Sequence, residues 1–339
     1  MHAPLSGFSY TTYDKKKVLS SLGKNRALEL FSHMFKIRQF EMMSEGIYLE
    51  GLVAGFFHSY VGQEAIQVGA VNAIGMDKGH WITTYRCHAL ALLTGCSPIQ
   101  GFAELLGNQL GCAKGRGGSM HFVTKHMPLG QGIVGGHTAL GTGFAFKSIY
   151  KGDDLVTYCF LGDGASVQGV FYESINLASL WSLPIVFIIE NNVWGMGTHH
   201  KRAVAMDPIG AHIAKAFDLE NHLLDGMSVL DSYALFKEVH ERVSKTKRPV
   251  IIEAKTQRFK GHSRSDTEYY RSKEDMEEIR SLDPIESFKK DLIAEGFTTQ
   301  EELKEQEKKI KEELFQSLEA AKKGAPCDIG DIESGVESD

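Results

Sequence analysis

The stretch Leu155-Val156-Thr157-Tyr158-Cys159-Phe160-Leu161-Gly162-Asp163-Gly164-Ala165, continued by Gln168 to Trp181 and then Pro184 to Ile189 with Glu190-Asn191-Asn192, decides the fold. An unbroken apolar run of this length, closed by Gly-Asp-Gly, predicts a strand buried on both faces. Gln168 to Trp181 predicts a helix, and Pro184 to Ile189 a second buried strand. Strand, helix, strand at this spacing is a βαβ unit, and hence implies a parallel sheet. Ligands of such sheets bind beyond the carboxyl ends of the strands. The Gly-Asp-Gly and Asn-Asn turns therefore face one crevice if their strands are neighbours.

Working outward, Leu28, Phe31 and Phe35 recur at helical spacing within Lys24 to Glu45, and helices are also predicted over Gln63 to Ile74, Ala89 to Leu93 and Ala139 to Tyr150. Residues 107–143 are glycine-rich and read mostly as loop. A third cycle follows, with a helix carrying Val229, Tyr233, Phe236 and Val243 and a strand over Pro249 to Ala254. His262 to Arg271 is polar and reads as a surface loop, and the sequence beyond Lys273 is charged and helical in pattern. The expected organisation is α/β: one parallel sheet with helices on both faces over 25–325, helical extensions at both ends, a loose arm over 1–24 and a flexible acidic tail over 326–339.

The 37 Lys+Arg against 43 Asp+Glu leave a net charge of -6, so no basic surplus is available for nucleic acid. No apolar run approaches the length of a membrane span, and the opening residues carry no secretory pattern. Five cysteines without a Cys-x-x-Cys pair argue against a disulfide framework or a thiolate zinc site and point to a reducing compartment. At the strand ends, Asp163 offers a carboxylate and Asn192 an amide oxygen, hard donors suited to Mg²⁺. Each alone is an ordinary turn residue. Gly130-x-Gly132-x-x-Gly135 fits a dinucleotide fingerprint as text, with Asp153 downstream, but the polar Lys125 to Pro128 offers no preceding buried strand and Asp153 precedes a strand instead of ending one. Arg86 has the fork that matches phosphate oxygens, although it could equally pair with a carboxylate. By their residue types alone, His58 and His262 read as scaffold and solvated side chains.

From about Phe57 to Arg271 the chain resembles the α subunits of the pyruvate dehydrogenase E1 component. The resemblance is carried in order by Gly62-Gln63-Glu64-Ala65, Tyr85-Arg86, Lys114-Gly115-Arg116-Gly117-Gly118-Ser119-Met120-His121, Gly132-Ile133-Val134-Gly135, Gly162-Asp163-Gly164-Ala165, Glu190-Asn191-Asn192, Gly195-Met196-Gly197-Thr198 and Gly261-His262-Ser263. It implies the thiamine diphosphate-binding fold, specifically its diphosphate-binding domain. It further implies that Asp163, Asn192 and the carbonyl of Trp194 hold Mg²⁺, Trp194 standing where the family usually has Tyr. Tyr85 and Arg86 would contact the diphosphate, Gly132, Val134, Gly164 and Ala165 would offer backbone contacts to the cofactor, and His58 and His262 would lie near the reacting carbon as catalytic histidines.

The activity so implied is thiamine diphosphate-dependent oxidative decarboxylation of pyruvate, with acetyl transfer to the lipoyl domain of E2. The acid that serves the aminopyrimidine ring belongs to a separate β subunit, so an α₂β₂ heterotetramer is expected. Acetoin or branched-chain 2-oxo acid E1 α subunits are the alternatives. The branched-chain ones tend to carry Glu within Gly162-Asp163-Gly164 and to lack Gly195-Met196-Gly197-Thr198, and the acetoin ones usually diverge after Asn192. A non-catalytic scaffold subunit would be signalled by loss of Asp163, Asn192 or Arg86, and all three are present. The loop 262–271 aligns with one that is phosphorylated in mitochondrial relatives, placing Ser263 and Ser265 at switch positions, but modification is not expected here. A bacterial cytoplasmic location is expected, with the mitochondrial matrix after processing as the alternative.

Overall fold

The computed structural model describes residues 9–328 and 330. Six parallel strands form the central sheet: β1 (Gly79–Thr84), β2 (Leu129–Gln131), β3 (Val156–Gly162), β4 (Ile185–Asn191), β7 (Glu220–Asp225) and β8 (Val250–Lys255). A small antiparallel hairpin of β5 (Trp194–Gly195) and β6 (Thr198–His199) follows β4. The strand order is β2-β1-β3-β4-β8-β7. From β1 the chain winds outward to β2 on one side, then returns to β3 and β4 on the other, which opens a crevice at the carboxyl ends.

Both faces of the sheet are covered, which is why its strands read as continuous apolar runs. Tyr158, Phe160, Val186, Ile188 and Ile252 face one core, shared with α1 (Lys15–Leu49), α2 (Glu64–Ile74), α3 (His88–Leu93), α4 (Pro98–Leu105) and α8 (Val229–Thr246). The alternate residues Cys159, Leu161, Phe187, Ile189 and Ile251 face a second core, with α5 (Gly136–Lys151), α6 (Gly169–Leu180) and α7 (Ile209–Ala216). The α9 (Lys273–Ser281), α10 (Pro284–Ala294) and α11 (Gln300–Ala321) helices complete the C-terminal part. No described helix is long and apolar enough to cross a membrane.

The predicted βαβ unit forms β3, α6 and β4 with ends within two residues of those expected. Three strands of the central sheet, and the β5–β6 hairpin, were not anticipated. β1 carries His80, Thr83 and Thr84 and β7 has only two leucines among polar residues, so neither shows an apolar run. The third, β2, runs straight into the glycine fingerprint, so a short edge strand does precede Gly132; Asp153 still lies ahead of β3. The arm read as loose over 1–24 is anchored from Thr11 on. The Thr11 N–H donates to the Leu223 carbonyl (2.8 Å), the Tyr13 N–H donates to Asp231 (2.9 Å), and helix begins at Lys15 behind an Asp14 cap. The helix breaks at Gly23, whose φ of 71° is non-helical, so the segment expected from Lys24 is its second part. The first eight residues, and the acidic tail at 329 and 331–339, lie outside the described residues.

Candidate active site

A cavity of about 480 Å³ opens at the carboxyl ends of β1, β2, β3 and β4. Every residue expected to act in catalysis or to hold cofactor or metal lines it: His58, Tyr85, Arg86, Gly132, Val134, Asp163, Gly164, Ala165, Asn192, Trp194 and His262; the switch candidates Ser263 and Ser265 do not. The register explains the convergence. Gly162 lies opposite Glu190 in the β3–β4 ladder and β4 runs one residue further, so Asp163 and Asn192 each directly follow the end of neighbouring strands. β1 ends at Thr84, delivering Tyr85 and Arg86 to the same rim.

The Asp163 carboxylate is buried, and its Oδ2 has no hydrogen-bond partner. Burial pushes its carboxyl up to about 6. The Asn192 amide donates to Gln63 Oε1 (3.0 Å), and its oxygen accepts the Trp194 N–H (3.3 Å), leaving that oxygen a second lone pair. Among the described residues no group of three or more His, Cys, Asp or Glu is placed to hold a metal ion. A cation at Asp163 would therefore rest on one carboxylate, the Asn192 amide oxygen and the Trp194 carbonyl. So sparse and hard a donor set suits Mg²⁺, which keeps most of its shell for water and phosphate.

Arg86 lines the same cavity. Its guanidinium donates to the carbonyls of Ser59 (2.8 Å) and His262 (2.6 Å), and no carboxylate among the described residues pairs with it. Burial, with Arg258 close by, lowers it to about 10. The alternative of a simple carboxylate partner is thus not what the structure shows; the positive charge remains available to an anion. Gly135, at φ 81°, caps the start of α5, and a Cβ there would meet the Gln168 side chain at 2.9 Å. The helix thereby begins at the cavity with no side-chain cap, although its Gly136 and Thr138 N–H groups donate to the Ile133 (3.2 Å) and Gly135 (3.0 Å) carbonyls.

His58 and His262 line the cavity with ring centroids 5.2 Å apart, and the Tyr85 ring packs tilted against His58 at 4.5 Å. Burial, then Arg86, lowers His58 to about 2 and His262 to about 3, so both rings are neutral at physiological pH. His58 Nδ1 is buried with no partner. The loop carrying His262 is docked rather than solvated. Asp266 accepts the His262 N–H (2.7 Å) and the Tyr270 hydroxyl (2.5 Å), while the Tyr270 ring packs on Trp194 at 4.7 Å. Lys260 and Arg264 both pair with Glu45 of α1.

Two lining residues carry chemistry that the sequence did not single out. Gln63 holds Asn192, and Glu190, pushed up to about 7 by burial, accepts from Tyr60 and Gln67 beneath the cavity. Both stand inside motifs, but only the fold shows that their side chains reach the site. Glu104 was also missed: its carboxylate accepts the N–H groups of Ala113, Gly115 and Gly117, shaping the glycine-rich loop.

A buried carboxylate and a buried arginine, neither in an ion pair among the described residues, line a crevice at the parallel strand ends of an α/β fold, the place where such folds bind their ligands. Residues 32–328 match the dehydrogenase E1 component family, and the chain belongs to it. It is similar to the pyruvate dehydrogenase E1 component subunit alpha of Rickettsia felis, 38% identical over 92% of this chain and 96% of that protein. The subunit of the same name from Rhizobium meliloti is 38% identical over 94% and 92%, and the mitochondrial one from Dictyostelium discoideum 38% over 88% and 78%.

Proposed function

We propose that this chain is the α subunit of the E1 component of a pyruvate dehydrogenase, active with a β subunit in an α₂β₂ complex, and that its cavity binds thiamine diphosphate with Mg²⁺. The observation that carries this is the pair of charges outside any ion pair among the described residues: Asp163 Oδ2 has no hydrogen-bond partner, and the Arg86 guanidinium meets the Ser59 and His262 carbonyls and the His262 ring. Mg²⁺ on Asp163, Asn192 and the Trp194 carbonyl would satisfy the first, and a diphosphate beside Arg86 the second.

Thiamine diphosphate, when bound, supplies the carbon nucleophile and electron sink needed for loss of carboxylate from a 2-oxo acid. This chain's residues do the rest. Asp163 and Asn192 orient the cation, while Arg86, the backbone around Gly132 and Val134, and the Gly164–Ala165 turn hold the diphosphate end. His58 and His262, neutral at pH 7, can accept or give a hydrogen bond to the substrate carboxylate and oxygen and relay a proton there. That the relatives are named subunit alpha supports supply of the acid expected at the aminopyrimidine ring by a β subunit. The product acyl group would pass to the lipoyl domain of E2. A bacterial cytoplasmic location agrees with the Rickettsia and Rhizobium relatives.

Mixing purified α and β chains with thiamine diphosphate and Mg²⁺ tests the reading. Decarboxylation is expected with pyruvate above acetoin and branched-chain 2-oxo acids, and only when both chains are present. Full activity from α alone would refute the division of labour, and preference for another substrate would refute the choice of pyruvate.

A further inference from the structure

Behind the cavity, three residues from distant parts of the chain form a sealed chain of hydrogen bonds. Glu41 lies on α1, His88 at the start of α3, and Ser119 in the glycine-rich loop; all three are buried. His88 Nδ1 lies 3.1 Å from both Glu41 oxygens, and His88 Nε2 lies 3.0 Å from the Ser119 hydroxyl. The order Ser, His, Glu resembles a nucleophilic triad. Ser119, however, does not line the cavity, so no substrate can reach it and nucleophilic chemistry is excluded.

The chain instead ends on the backbone that carries His58. The His58 N–H donates to the Ser119 hydroxyl (3.4 Å), and the Tyr60 N–H donates to Glu41 Oε1 (3.0 Å). Between them, the Ser59 carbonyl accepts from Arg86 (2.8 Å). The donors and acceptors balance with one tautomer. His88 gives its Nδ1–H to Glu41 and takes the Ser119 O–H at Nε2, which leaves the Ser119 oxygen for His58 and a Glu41 oxygen for Tyr60. The Phe57 ring stacks on His88 at 5.4 Å, fixing the segment from its other side. His58 itself has an unpartnered Nδ1, so no side-chain hydrogen bond from this nitrogen sets its place.

We propose that Glu41, His88 and Ser119 are positioning residues that clamp the Phe57–Tyr60 segment and so set the His58 ring over the reacting centre. This deepens the proposed function and rests on that reading. A displacement of about 1 Å in such a group costs on the order of 10²-fold in rate.

The test is a double-mutant cycle in the α₂β₂ complex with thiamine diphosphate and Mg²⁺, using Ser119→Ala and His58→Ala. Ser119→Ala is expected to lower kcat/KM by about ten- to a hundredfold in the parent and by nearly nothing in the His58→Ala background. Equal losses in both backgrounds, or no loss in the parent, would overturn the proposal. His88→Phe, which keeps the ring stacking and removes both nitrogens, should behave in the same way and guards against a folding defect peculiar to one variant. A crystal structure of the Ser119→Ala complex gives a readout independent of turnover: His58 is expected to shift or split, and an unmoved ring overturns the proposal. If the parent complex ignores pyruvate, the pyruvate reading fails by itself. The cycle then runs on whichever substrate is consumed, and with none the crystal structure decides.

Discussion

Asp163 shows how function and stability oppose each other within one side chain. Its folded-state pKa is raised to about 6 by burial, so between about 4 and 6 the folded chain holds a proton that the unfolded chain has lost. Stability therefore falls as pH rises through that window, by on the order of 2–3 kcal/mol at about 1.4 kcal/mol per unit, and the penalty is complete at pH 7. Asp163→Asn should raise the melting temperature of the cofactor-free complex at pH 7 but not at pH 4, and should abolish the stabilisation by Mg²⁺ and thiamine diphosphate expected in the parent. An unchanged response to Mg²⁺ would remove Asp163 from the cation site. His58 has the opposite sign. Its pKa is lowered to about 2, so stability is lost as pH falls below the ordinary value near 6.5. Measured against His58→Gln, the parent should lose relative stability steadily from pH 7 to pH 4; a gain on acidification would contradict the burial account.

At the scale of elements, the loop 261–271 and the β5–β6 hairpin act as one docked unit. Tyr270 packs on Trp194, and its hydroxyl meets the same Asp266 that accepts the His262 N–H. An added Cβ at Gly197 would sit 3.3 Å from the Tyr270 ring, so the hairpin is shaped to the loop. The indole at 194, where the resembled family usually has Tyr, is therefore packed against the His262 loop as well as set beside Asn192. Tyr270→Ala should release the loop, raising its cleavage rate in limited proteolysis by about tenfold while the sheet stays protected. Cleavage at the parent's rate would show that the Arg86 and Asp266 contacts suffice alone.

For the whole molecule, the exposed side of α5 bears on assembly. Leu140, Phe146 and Tyr150 are exposed along it, and Phe146 packs on Trp181 at the end of α6 with Leu180 exposed beside it. Apolar surface gathered in this way marks contact with another chain more often than solvent, and it adjoins the glycine-rich stretch 107–143. Phe146→Glu with Trp181→Glu should weaken α₂β₂ formation in sedimentation without lowering the melting temperature of the α chain. Assembly of the doubly charged variant at parent strength would place the interface elsewhere.

The sequence by itself determined the βαβ unit, because β3 and β4 are buried on both faces and their apolar runs need no context to be read. It also determined the residue types at the strand ends, and thereby the family. Tertiary structure alone decided the rest. Strand β1 is legible only through its neighbours, since Trp81 stacks on Tyr158 while His80 and Thr83 are covered by helices. Gln63, Glu190 and the Glu41–His88–Ser119 chain join residues far apart in sequence, and no local period records a hydrogen bond between them. Whether a histidine or an arginine is solvated, paired or poised depends on how much water the folded chain excludes and which charges it brings near, and that is a property of packing, not of spacing along the chain.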